Sequence, residues 1–121
     1  MLRSTPRLIL SFFISTALIG CCQLSPTRAK EDVLRQDLKT LRDEIDNYTR
    51  DKEKRPTSLQ DLVDSGYLRK IPKDPFTGSA DTWRIEDADR PISLDETEPG
   101  ISNVHSGSNR VGTDGTQYST W

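Results

Sequence analysis

Leu34, Leu38, Leu41, Ile45 and Tyr48 stand four, three, four and three residues apart, and this spacing constrains the fold more than any other feature of the chain. At 3.6 residues per turn all five fall on one stripe of a helix. The intervening positions carry Arg35, Asp37, Lys39, Arg42, Asp43, Glu44 and Asp46, so the spacing predicts an amphipathic helix over Glu31–Arg50. Glu31–Arg35 and Lys39–Asp43 are opposite charges four residues apart, which support a helix surface. Glu31 and Asp32 place negative charge near the helix N-terminus, where the macrodipole favours it. The stripe is either the helix's own core face or a seam for a partner helix. Only 32% of the 121 residues are hydrophobic, against 30% charged. One domain with a small core is the expectation.

Upstream of the helix the chain changes character. Arg3 and Arg7 precede Leu8–Gly20, an uncharged and mostly apolar run. As a helix it would span about 20 Å, short of the ~30 Å hydrocarbon core of a bilayer. Its length and charged start match the apolar region of a signal peptide. Pro26 is expected to break any helix this run forms. Cys21 and Cys22 are adjacent, too close to bridge each other without strain. They form neither a disulfide framework nor a metal-ligand spacing. Leu18-Ile19-Gly20-Cys21 resembles the lipobox of bacterial lipoproteins, and that resemblance implies cleavage after Gly20 and a lipid on Cys21. An ordinary signal peptide cut near Ala29, or an uncleaved short anchor, are the alternatives. The expected division is a signal peptide over residues 1–20, a lipid-bearing cysteine and tether over 21–30, and an exported domain over 31–121. Cutting after Gly20 removes two arginines and no acid, which takes the net charge from −2 to −4.

Beyond the long helix, Pro56 marks a new start. Ser58, with Asp61 three residues on, suits an N-cap, Leu59, Leu62 and Val63 supply a buried side, and Gly66 suits the residue after a helix end. Ile71–Gly78 contains two prolines and a glycine and is expected to be a loop with turns. Trp83-Arg84-Ile85 and Ile101–Val104 read as half-buried strands, with Pro99-Gly100 turning between them. The tail has Asp114-Gly115 as a tight turn, with Tyr118 and Trp121 as packing residues. Helices followed by short strands give an α+β fold class.

The chemistry-bearing residues are sparse. No basic face of the kind a nucleic-acid binder needs is visible, and no small-molecule substrate is evident. His105 is the only histidine. On a strand it would point away from the neighbouring Ser106, so the two cannot form a nucleophile–base pair. There is no nucleophile elbow, zinc spacing or phosphate loop, and an enzyme is not expected. Trp83 and Trp121 read as core residues ahead of ligand-stacking platforms.

The order of these elements, with Gly66-Tyr67-Leu68, Ile71-Pro72-Lys73-Asp74-Pro75-Phe76-Thr77-Gly78, Val104-His105-Ser106-Gly107 and Asp114-Gly115-Thr116 through Trp121, resembles the G-type pseudopilin of type II secretion over roughly residues 30–121. The resemblance implies a pilin-like fold, with a long N-terminal helix packed on a small antiparallel sheet and a short second helix. It also implies a structural role at the periplasmic face of a bacterial membrane, with other pseudopilins or further copies of the chain as partners. A lipid-anchored binding module that reuses the fold, contacting ligands through loops 74–82 and 105–116, is the alternative. The family binds calcium in a loop that here offers Asn109 and Asp114, so Ca²⁺ at these two residues is an expectation beside a plain turn. Two departures stand out. Gly20 is followed by Cys21-Cys22-Gln23-Leu24-Ser25, with no glutamate at the fifth position, and the apolar run precedes the cut. In the loop, Ser108-Asn109-Arg110 stands where the family has Ala-Asp-Gly.

Overall fold

The computed structural model describes residues 25–121; the signal-like run and Cys21 lie outside the described residues. The long helix, α1, runs Pro26–Lys52 and starts five residues before the expected position. Residues 26–30, expected as part of a tether, are therefore helical and exposed. Ser25 caps it, its hydroxyl accepting from the Arg28 amide at 3.3 Å. Pro26 then occupies the first turn, where a missing N–H costs nothing and a fixed φ already suits the helix. A proline expected to end one helix begins another. Arg50 and Lys52 lie in the last turn, on the favourable side of the dipole.

A short helix, α2, spans Leu59–Asp64. The Ser58–Asp61 capping box is formed in both directions. At its far end the Tyr67 amide donates to Leu62 O at 2.8 Å and the Gly66 amide to Val63 O at 3.1 Å. That paired closure requires a left-handed residue, and Gly66 has φ +83°.

The sheet has only two strands, β1 (Arg84–Asp87) and β2 (Ile101–His105), paired antiparallel. The fold class is thus α+β. Trp83 sits just before β1 instead of inside it, buried, with its indole N–H donating to Pro72 O at 2.8 Å. All four β1 residues are exposed. On β2 the buried residues are Ile101 and Val104, three apart. Simple alternation would put them on opposite faces. The register slips between Glu86 and Asp87, which leaves Ser102 unpaired, and this bulge returns both apolar side chains to one face.

The core forms where the helix stripe meets these pieces. Leu34, Leu38, Leu41, Ile45 and Tyr48 are all buried, together with Leu59, Leu62, Trp83, Ile101, Val104 and Tyr118. The stripe is therefore the core face of α1. Much of what covers it is irregular chain, including Tyr67, Leu68, Ile71 and Phe76. Such chain must come close without side chains in the way. A Cβ on Gly107 would overlap the Thr82 carbonyl, and one on Gly100 (φ +73°) would stand 2.6 Å from Arg55 Cβ. Among the described residues, no helix is long and apolar enough to cross a membrane.

Candidate functional site

Two buried carboxylates hold the C-terminal loop in place. Glu31 is only 2% exposed, and its position follows from the helix period, three residues ahead of Leu34 on the same stripe. Its carboxylate accepts from the Thr113 amide (2.7 Å), the Thr113 hydroxyl (2.6 Å) and the Tyr118 hydroxyl (2.9 Å). A buried charge needs such donors. The Thr113 hydroxyl bond, followed by the Thr113 amide bond, holds Glu31 below the ordinary glutamate value. Tyr118 is pushed up, first by burial and then by its bond to Glu31. The expected Glu31–Arg35 pair is not made. Arg35 pairs with Asp32 at 3.7 Å instead, because Glu31 faces inward.

Asp74 is fully buried and belongs to the proline-flanked segment. One oxygen accepts from the Phe76 amide at 2.8 Å, closing a tight turn; the other accepts from the Ser106 hydroxyl at 2.6 Å and the Gly107 amide at 3.3 Å. The loops around 74–82 and 105–116 are thereby tied to each other. Ser106 is committed to Asp74, while the His105 ring lies between Glu86 Oε2 (Nε2, 2.8 Å) and the Trp121 main-chain oxygen (Nδ1, 2.6 Å). The two neighbours serve different partners.

Arg42 is a third fixed point. Expected on a solvated face, it is half-buried and reaches across to Asn103 Oδ1 (2.7 Å), Val104 O (2.9 Å) and Trp121 O (2.7 Å). Its charge meets three oxygens, none from a side-chain carboxylate. Trp121 is only partly buried, unlike Trp83. Its indole N–H donates to Thr116 Oγ1 at 2.7 Å, its ring meets Tyr118 edge-on at 4.9 Å, and the Arg35 guanidinium lies 4.3 Å from its centroid. Tyr118 in turn stacks on Phe76 at 3.8 Å.

This packing leaves a groove of about 370 Å³ along the flank of α1, lined by Arg35, Leu38, Lys39, Arg42, Asp43 and Trp121. Lys39 pairs with Asp43, as expected. The groove has an apolar floor and wall and a cationic rim, a form suited to holding a short segment of another molecule by one apolar side chain and flanking acids.

The turn expected to carry calcium is formed. Asp114 Oδ1 accepts from the Thr116 amide (2.9 Å) and hydroxyl (2.7 Å), and these bonds hold its carboxyl below the ordinary aspartate value. Asn109 and Asp114 are both exposed. Among the described residues, no group of three or more His, Cys, Asp and Glu converges as metal ligands. A Ca²⁺ ion would have to complete its six to eight oxygens from Asp114 Oδ2, Asn109, main-chain carbonyls and water.

Sequence reasoning missed Glu31, Asp74 and Arg42 as organising residues. For Glu31 a signal existed, since the stripe extended backwards by three reaches it. For Asp74 and Arg42 none did, because their partners lie 32 to 79 residues away. Compared with protein-family models, curated proteins and solved structures, the chain finds no match.

Proposed function

We propose that this chain is a pseudopilin-like structural component of a type II protein secretion system, or of a related pilus-like machine, acting by subunit contacts at the cell envelope and not by catalysis. The observation that carries the reading is the way α1 wears its own C-terminal loop. One long helix supplies nearly a whole face of the core, and Glu31 and Arg42 pin residues 113–121 to it. A structural subunit needs such a rigid exterior to meet its neighbours. The pilin-like character of the domain belongs to this proposal, as does the tether: a lipid on Cys21 after removal of residues 1–20, holding the domain at the periplasmic face of a bacterial membrane. Calcium enters only through Asn109 and Asp114, where it would brace the loop and supply no chemistry.

Mass spectrometry of the mature N-terminus tests the tether. The expected species begins with a diacylglyceryl-modified Cys21; a mature chain that starts near Lys30 would overturn it. Crosslinking in intact envelopes tests the subunit role, with adducts to further copies or to other pseudopilins as the expected result and monomer alone as the contrary one. For calcium the readout is melting of the protein in Ca²⁺ and in chelator. A higher Tm in Ca²⁺ that Asp114→Ala abolishes places the ion at this turn. Equal melting in both removes it from the reading.

The binding-module reading has one observation in its favour, the groove beside Trp121. It requires a soluble envelope ligand that protects this groove while the protein remains monomeric.

A further inference from the structure

The connection between β1 and β2 carries chemistry opposite to that of the groove. Ile92 and Leu94 are exposed there, Leu94 completely. Asp95, Glu96 and Glu98 follow, with no base between Ile92 and Glu98. The groove offers Arg35, Lys39 and Arg42 against Asp43 as its one lining acid, over Leu38 and the Trp121 ring. An exposed leucine followed by acids, and an apolar slot rimmed by bases, are complementary in both terms.

They cannot meet within one copy. The connection is moored at the C-terminal end of α1, where Arg55 Nη1 donates to Arg90 O at 2.9 Å. Asp95 to Glu98 line a hollow there with Tyr48, Lys54 and Arg55. From Lys39 at the centre of the groove to Lys52 at the helix end the rise is about 20 Å. We propose that residues 92–98 of one copy dock into the α1–Trp121 groove of a second copy, with Leu94 entering the slot over Leu38 and the exposed acids Asp95 and Glu98 facing Arg35 and Lys39. The inference rests on the subunit-contact reading and names the surface that reading leaves open.

Two physical consequences follow from the geometry. The donor and acceptor patches differ, so the contact is heterologous, and copies add head to tail unless their rotation closes a ring. The contact is also small, at the low end of specific interfaces. It is weak between free molecules and salt-sensitive, and it strengthens where copies are held on one surface at high effective concentration.

The test uses the full chain in mild detergent, followed by sedimentation velocity over a rising concentration series. Wild type is expected to self-associate, and to do so less as salt is raised. Arg35→Glu with Lys39→Glu, and separately Asp95→Lys with Glu98→Lys, should each weaken association at least about tenfold. Mixing the two variants should restore it, because one retains an acidic connection and the other a basic groove. Leu94→Ser should weaken it with no change of net charge. All these side chains are solvent-facing, so melting temperatures should stay close to wild type, and any variant that melts early is replaced by its single-substitution form. Charge variants that associate as tightly as wild type, or a mixture that stays apart, would sink the proposed surface while leaving the subunit role intact. A protein that remains monomeric at every concentration and gives no envelope crosslinks would sink both.

Discussion

Glu31 stands one helical step ahead of Leu34, and a carboxylate at that position must be fed donors or unfold the loop around it. Its value is lowered in the folded state, so the unfolded chain binds the extra proton. Its stabilisation is complete above the ordinary 4.5 and is lost as pH falls through the folded value. Asp61, lowered chiefly by the Thr57 hydroxyl bond, and Asp114 act in the same direction. Asp37 opposes them: burial, and then the charge of Asp74, raise it, so its contribution is largest in acid and fades as pH rises. Through Glu31, Asp61 and Asp114 stability is expected to fall as pH drops below about 4.5, with Asp37 working against that fall. Glu31→Gln should lower Tm at neutral pH and flatten, without abolishing, that acid limb in melting curves from about pH 3 to 7. Gly107→Ala tests the close approach to Thr82; the backbone must move, and a loss of about 3 kcal/mol in urea unfolding is expected. Glu31 was within reach of the sequence because the helix period points to it. Asp74 was not, since its turn could be read from Asp-Pro-Phe-Thr-Gly but its partners Ser106 and Gly107 could not.

The elements differ in how openly their sequences declare them. Both helices follow from local signals, and the Ser58–Asp61 capping box and the Gly66 closure are as expected. Ser58→Ala should cost about 1 kcal/mol, read by chemical denaturation. Within α1, Leu38 lies under the groove floor and is buried. Leu38→Ala should cost about 2–5 kcal/mol in the same measurement, more than any substitution on the solvent face of α1. The start of α1 was misplaced because proline is both a helix breaker and a good first residue, and only the Ser25 cap decides between these roles. The strands were located but not bounded. β1 shows no burial pattern of its own, and the bulge at Ser102 erases the two-residue period on β2 by which a strand is normally recognised.

At the scale of the whole molecule, the ties that matter join distant parts of the chain. Arg42 to Asn103 spans 61 residues, and Glu31 to Tyr118 spans 87. Local reading identifies the pieces of such a structure and not their closure, which is why the class of fold was legible and the candidate site was not. The stripe on α1 has Tyr118 as part of its cover, and a helix without tertiary cover is marginal in water. Deleting residues 113–121 should therefore lower helical circular dichroism well beyond the single 3₁₀ turn at Tyr118–Thr120 removed with them, and should broaden the thermal transition. In synthesis the same arrangement orders events in time. A chain emerging from the ribosomal tunnel presents α1 well before its fasteners. It is expected to stay slack until Tyr118 arrives, and then to shut like a clasp whose catch was forged far along the band.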